Sequence, residues 1–281
     1  MLKVAFQGER GAYSEAAAIE YFGAEIEPIA CKSFDDVFDS VSGGACERGI
    51  IPIENSLAGS IHRNYDLFQR HNLSIVGEKV FRVRHCLISH PGVTLEDIKK
   101  IISHPQALAQ CEVYIDGLGV ERELWYDTAG AVKSLVKEDS RDLAAIASRL
   151  AAEVYGMKVL AEGIEDVQSN YTRFLVLSTE DELPSEGTAK TSIVFSLPQG
   201  GTTPGSLFRA MGVFALRDIN LTKIESRPLQ GETFAYVFYL DFEGREHEKN
   251  CARALENLRE FAPNVRVLGS YMRDEGWLRT S

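Results

Sequence analysis

The chain has 281 residues, 44% hydrophobic and 25% charged, the make-up of a soluble globular protein with room for one large or two modest domains. Its 30 basic and 41 acidic residues give a formal net charge of −11. No Lys/Arg-rich stretch offers the footprint of a nucleic-acid binder, or of a protein drawn to an anionic membrane surface. An anionic substrate must be attracted by a local pocket against a repulsive overall field.

Five cysteines (Cys31, Cys46, Cys86, Cys111 and Cys251) are scattered without a C-x-x-C pair, which speaks against a disulfide framework or a zinc site and for buried thiols. The N-terminal MLKVAFQG reads as a strand running into a glycine loop, without signal-peptide architecture. No apolar run reaches the roughly 18 residues of a membrane helix, so a cytoplasmic protein is expected.

The first 180 residues alternate strand and helix patterns, which implies mostly parallel sheets flanked by helices. Leu2–Gln7 reads as a strand, Ser14 as the cap of a helix through Phe22, and Ile26–Ala30 as a strand. Ser33-x-x-Asp36 is a capping box opening the Phe34–Val41 helix, which Gly43 and Gly44 stop. Ile50–Ile53 is a strand, Ser60–Arg70 a helix, and Leu73–Ser89 a long extended crossing. A second series follows. Thr94-x-x-Asp97 caps a helix, Lys100–Ser103 is a strand, and Pro105 starts a helix that ends near Gly117. Leu124–Tyr126, Ala144–Ala147, Lys158–Ala161 and Thr172–Ser178 read as strands; Thr128–Lys137 and Arg149–Tyr155 read as helices, the latter stopped by Gly156. Two lobes are expected, 1–80 with 158–180, and 81–157, with a ligand cleft between them.

Residues 181–190 are polar, acidic and contain Pro and Gly, the composition of a linker. Residues 191–281 then follow the order β-α-β-β-α-β: Thr191–Leu197, Pro204–Leu216, Asn220–Arg227, Thr233–Phe242, Glu246–Phe261 and Val265–Met272. Leu207, Met211 and Phe214 form one apolar stripe; Cys251, Leu255 and Leu258 form another. This is the ferredoxin-like split βαβ order, with no cluster of catalytic or metal-ligand residues.

Four fragments carry polar chemistry. Gly8-Glu9-Arg10-Gly11-Ala12-Tyr13-Ser14 offers backbone N–H groups at a helix start, an anion site that is equally a tight βα turn and lacks G-x-G-x-x-G. Pro52-Ile53-Glu54-Asn55-Ser56 ends a strand, where α/β proteins place ligand contacts, although Asn55 and Ser56 also suit a turn. Ser103-His104-Pro105-Gln106 leads into a helix on which Gln106 and Gln110 share a face; His104 suits a cap. Asn170-Tyr171-Thr172-Arg173-Phe174 opens an apolar strand.

In this order and spacing the chain resembles prephenate dehydratase across its length. PIENS-x-x-G, SHPQAL-x-QC, Asp127-Thr128-Ala129, Ala144–Ser148 and Thr172-Arg173-Phe174 carry the likeness. Gly205-Ser206-Leu207-Phe208 and Glu225-Ser226-Arg227-Pro228 resemble segments of the family's regulatory ACT domain. Glu9 and Ala12 stand where the family usually has Pro and Thr, and Ser206 and Phe208 where it has Ala and Val. SLAGSIHRNYDL is also similar to plant arogenate dehydratases.

The resemblance implies a two-lobed catalytic domain like periplasmic binding proteins, over 1–180, followed by an ACT domain. It implies loss of water and carbon dioxide from prephenate without cofactor or metal, with arogenate as the alternative substrate. Thr172 is the implied catalytic residue, supported by Asn55, Ser103 and Gln110. Tyr13, Ser14, Glu54, Ser56, Gln106, Asp127, Thr128, Asn170, Arg173 and Phe174 are the expected pocket. L-phenylalanine is the expected effector at an ACT–ACT interface of a homodimer or homotetramer. Gly205, Ser206, Leu207, Phe208, Asn220, Leu221, Glu225 and Ser226 are its expected contacts.

Overall fold

The computed structural model describes residues 1–138, 140–182, 187–197, 203–229, 231, 233 and 235–276. Its first sheet runs β2-β1-β3-β11-β5. In it β1 (Leu2–Gln7) lies between β2 (Ile26–Cys31) and β3 (Arg48–Asn55), both parallel to it. The IIPI run of β3 is buried throughout, as expected where helices cover both faces. A two-residue strand, β4 (Gly59–Ser60), folds back on β3 and pairs Asn55 with Gly59, so Asn55 stands at the start of a hairpin turn. Strands β5 (Ser74–Arg82) and β11 (Tyr171–Ser178) complete the sheet. Helices α1 (Tyr13–Phe22) and α2 (Phe34–Ser42) connect β1 to β3 through β2, and α3 (His62–Arg70) precedes β5.

The second sheet has the order β10-β6-β9-β7-β8, from β6 (Cys86–Ser89), β7 (Lys100–Ser103), β8 (Glu121–Leu124), β9 (Leu143–Ala147) and β10 (Lys158–Glu162). Its helices are α4 (Pro105–Gln110), α5 (Glu112–Leu118), α6 (Thr128–Glu138) and α7 (Arg149–Tyr155). Val4 and Phe6 of β1, Ala17 of α1, Ala145 and Ala147 of β9 and Val132 of α6 share one buried apolar cluster, so both sheets contribute to a common core. Gly11 shows how close that packing is. At φ +86°, a Cβ there would lie 2.5 Å from the Ala151 Cα, so the loop after β1 seats on α7 only as glycine.

The chain divides into two compact units, one of Met1–Ser60 with Lys79–Phe174, the other of Ile61–Glu78 with Leu175–Glu275. The second contains β12 (Ala189–Ser196), α8 (Ser206–Ala215), β13 (Leu221–Pro228), β14 (Tyr236–Glu243), α9 (Lys249–Phe261) and β15 (Asn264–Met272). The sheet order β13-β14-β12-β15 is antiparallel throughout, the ferredoxin-like arrangement. Phe195, Leu240 and Phe242 pack against Phe214, Leu255 and Leu258 of the two helices. The Tyr239 hydroxyl donates to the Tyr65 carbonyl of α3 at 2.6 Å, and Arg227 grips Asp66 through two bonds of 2.9 and 2.7 Å. Beyond α3, Lys190 pairs with the fully buried Glu78 at 2.8 Å. Gly269, at φ +152°, lets the Ile75 backbone approach to within 2.0 Å of where a Cβ would stand. These contacts explain why Ile61–Glu78 groups with the C-terminal segment rather than with its sequence neighbours.

Several sequence expectations are corrected. Ser14 is not the cap of α1: Ala12 holds that position, and Glu15 accepts from the Gly11 N–H at 2.6 Å instead. The Ser60–Arg70 helix starts at His62, because Gly59 and Ser60 pair with β3. Thr94 caps only a 3₁₀ turn. The single helix from Pro105 is two, broken at Cys111, because the Asp166 N–H takes the Gln110 carbonyl that a continuing helix would use. The strand expected at Leu124–Tyr126 lies at Glu121–Leu124, an exposed edge without apolar alternation. The second sheet is mixed rather than mostly parallel, since β6 pairs antiparallel with β9 and β10. By the same pairing β10 belongs to the second lobe and not the first. Ala189 and Lys190, expected in the linker, open β12; residues 183–186 of that linker lie outside the described residues.

Candidate active site

Thr172 and Asn170 sit at the start of β11, beside Asn55 at the end of β3. The Asn55 carboxamide is oriented without ambiguity. Its Oδ1 accepts from the backbone N–H groups of Leu57 (3.1 Å) and Ala58 (2.9 Å), so Nδ2 must face the other way. There it donates to Asn170 Oδ1 (2.8 Å), to Thr172 Oγ1 (3.0 Å) and towards the Tyr171 carbonyl (3.1 Å). Thr172 therefore accepts, and among the described residues no acceptor takes its own proton. Ser56 locks the turn, donating to Ser169 O and accepting from the Tyr171 N–H.

The second lobe supplies the other half. Gln110 ends α4, and its Oε1 accepts from Asn170 Nδ2 at 3.0 Å and lies 2.9 Å from His85 Nε2. With the carbonyl oxygen so engaged, the Gln110 NH₂ has no partner among the described residues. His85, just before β6, reaches the Tyr13 hydroxyl through Nδ1 at 2.7 Å, and its backbone N–H donates to Glu165. Burial pushes the His85 pKa below its ordinary 6.5, opposed by the Gln110 bond and the Glu165 charge. Burial likewise raises the Tyr13 phenol.

Of the expected residues, then, Thr172, Asn55, Gln110, Asn170 and Tyr13 meet in one network. Ser103 does not join it: its hydroxyl is buried and donates to the Ile146 carbonyl at 2.6 Å. Gln106 is exposed, one turn before Gln110. Ser14 is buried in α1, and Arg173 alternates to the opposite face of β11 from Thr172. Glu54 pairs with Ser60 across the hairpin, and Phe174 packs edge-on against Phe81. Asp127 receives the Gly130 N–H at the start of α6, where Thr128 is the first residue, and faces a hollow of about 540 Å³ with Gly8 and Glu9; burial raises its pKa. His104 caps α4 through the Gln106 N–H. His85 is the residue that sequence reasoning missed. Its one local signal is a titratable side chain opening the buried run Cys86–Ser89.

In the second unit, Gly205 (φ +77°) precedes α8 and Ser206 is buried with its hydroxyl on Thr203 O. Leu207 packs against the core, whereas Phe208 is 76% exposed. Asn220 and Leu221 lead into the edge strand β13, on which Ser226 is exposed and Glu225 faces His62 at 3.3 Å. The eight residues lie on α8 and β13 or beside them.

Among the described residues no group of three His, Cys, Asp or Glu side chains is placed to hold a metal, and no helix is long and apolar enough to cross a membrane. The five thiols are buried; burial raises Cys86 to about 11, so these are not ready nucleophiles. What fold and site define is an inter-lobe cluster of neutral hydrogen-bond donors on an α/β scaffold.

The profile of the prephenate dehydratase family matches residues 4–182. Over 290 residues the chain is 49% identical to arogenate dehydratase 2 of Petunia hybrida, covering 98% of this chain and 73% of that protein. It is 50% identical over 280 residues to arogenate dehydratase/prephenate dehydratase 2, chloroplastic, of Arabidopsis thaliana, covering 96% and 72%. Among solved structures, a prephenate dehydratase from Arthrobacter aurescens in complex with L-Phe superposes with a TM-score of 0.89 at 33% identity, covering 97% of this chain and 90% of that one. A structure described as GqqA, a novel type of quorum quenching acylase, gives 0.89 at 35%, covering 98% and 99%. The chain belongs to the prephenate dehydratase family, and is thus a dehydratase, a carbon–oxygen lyase of aromatic amino-acid biosynthesis. Relatives from Arabidopsis thaliana are named chloroplastic, which overturns the expectation of a cytoplasmic protein.

Proposed function

We propose that the chain converts prephenate to phenylpyruvate, carbon dioxide and water. The bond to the ring carboxylate breaks, its electron pair enters the ring, and the ring C–O bond breaks as hydroxide leaves and takes up a proton. Aromatisation drives the step. What the protein must add is hydrogen-bond donation to the leaving oxygen. The observation that carries this reading is a pair of donors without an acceptor among the described residues: the Thr172 hydroxyl, which accepts from Asn55 and keeps its proton, and the Gln110 NH₂. Both are neutral and preorganised, so they stabilise developing charge without clamping the departing carboxylate.

Arogenate, the amino analogue, is the second reading, favoured by identities of 49% and 50% to proteins named arogenate dehydratases. Both substrates share the ring that reacts, and the same donors serve either. Acyl transfer, the activity in the name of one structural neighbour, needs a nucleophile beside a base; His85 instead contacts Tyr13 and Gln110. Turnover of prephenate and arogenate side by side, read as phenylpyruvate or phenylalanine, tests the proposal. Conversion of neither by a folded protein refutes it.

The C-terminal unit is the proposed ACT domain, with L-phenylalanine as effector near Gly205–Phe208 and Glu225. The exposed apolar Phe208 on α8, Leu216 at its C-cap and Ile224 on β13 support a self-complementary dimer. Sizing the protein with and without phenylalanine tests this; a monomer in both, still inhibited, contradicts it.

A further inference from the structure

We infer that His85 is a positioning residue of the dehydratase site, holding the Gln110 amide so that its NH₂ faces the substrate. The inference rests on the dehydratase reading and deepens it. Its basis is that one backbone turn dictates the direction of every hydrogen bond across the network. The Leu57 and Ala58 N–H groups fix Asn55 Oδ1, which makes Asn55 Nδ2 the donor to Asn170 Oδ1. Asn170 must then present Nδ2 to Gln110, which makes the Gln110 atom that it meets the carbonyl oxygen. The same oxygen lies 2.9 Å from His85 Nε2, so that nitrogen carries a proton and donates. In the neutral ring Nδ1 is left as acceptor, and the Tyr13 hydroxyl at 2.7 Å donates to it.

His85 is 2% exposed; among the described residues its ring nitrogens meet only Gln110 and Tyr13, while its backbone N–H donates to Glu165 and its carbonyl accepts from the Gly163 and Ile164 N–H groups. It therefore acts through Gln110 and not on substrate. Without the imidazole N–H, the Gln110 oxygen loses one of its two donors, and the amide is free to turn its oxygen towards the leaving group, where an acceptor opposes the reaction. Tyr13 belongs to the same device. Its phenol meets His85 Nδ1 at 2.7 Å and the Arg84 carbonyl at 3.2 Å, so it orients the ring rather than binding substrate.

The test measures kcat and KM on prephenate and arogenate for the parent, His85→Leu, His85→Gln, Gln110→Ala and the His85→Leu/Gln110→Ala double variant, with thermal unfolding of each. A parent that turns over neither substrate defeats the dehydratase reading itself, separately from this inference. With an active parent, His85→Leu should lower kcat about 10- to 100-fold with a smaller change in KM. His85→Gln should recover most of the loss, because its amide can accept from Tyr13 and donate to Gln110. In the Gln110→Ala background the His85→Leu loss should vanish. A folded His85→Leu enzyme with parental kcat, or losses that multiply in the double variant, would overturn the inference. If His85→Leu does not fold, Tyr13→Phe replaces it, with a smaller loss expected that also disappears without Gln110, and the same two contrary outcomes.

Discussion

Asn55→Asp changes one group in the site and almost no volume. The carboxylate can still accept from Leu57 and Ala58, but where Nδ2 stood there is now an oxygen facing three acceptors: Asn170 Oδ1, Thr172 Oγ1 and the Tyr171 carbonyl. Thr172 satisfies that oxygen only by giving up its own proton, which withdraws the donor meant for the leaving group. Losing one preorganised donor costs about 10²–10³ in kcat, roughly 3–4 kcal/mol. The Asn170 carboxamide must also flip to donate, which turns its oxygen against Gln110 Oε1 and spreads the damage to the second donor. Steady-state turnover of both substrates, with thermal unfolding as a control, measures the effect. The account expects kcat to fall at least a hundredfold, KM to move little, and stability to drop by about 1–3 kcal/mol. A folded Asn55→Asp enzyme within a few-fold of the parental kcat would refute the reasoning, since the amide direction at Asn55 would then carry no catalytic consequence.

Elsewhere, Lys190→Met removes the ammonium that pairs with the buried Glu78 carboxylate at 2.8 Å, and should cost about 3–5 kcal/mol in denaturant unfolding. Gly11→Ala forces a methyl against the Ala151 backbone at positive φ and should destabilise by at least about 1–3 kcal/mol. Because the folded His85 pKa lies below 6.5, the unfolded chain binds more protons between the two values, and stability rises with pH across that window. Unfolding midpoints should therefore fall as pH drops below about 6.5, and His85→Gln should flatten that part of the curve.

Much of this was legible in the residues. The βαββαβ order of the C-terminal unit followed from apolar stripes such as Leu207, Met211 and Phe214; all three lie on one helix, with Leu207 and Phe214 in its core contact. Asn55, Gln110 and Thr172 were legible because each ends or opens an element within a recognisable motif. The network that joins them was not, since its bonds link residues 60 to 117 positions apart. His85 escaped for the same reason: its partners lie 25 and 72 positions away, and a lone histidine at a strand entry has no spacing to betray it. Ser103 shows the converse. It stands in the motif, yet its hydroxyl is spent on Ile146 across the second sheet, a contact without local trace. The grouping of α3 with the C-terminal unit was likewise hidden, because Asp66 and Arg227 are 161 positions apart.

The central claim is that the Thr172 hydroxyl donates a hydrogen bond to the departing oxygen. Thr172→Val deletes that hydroxyl at constant shape, and its kcat on prephenate and arogenate, measured beside the parent, tests the claim most directly. The account predicts a loss of about 10²–10³-fold on whichever substrate the parent converts, with the unfolding midpoint retained. A Thr172→Val enzyme that turns over at the parental rate would contradict it.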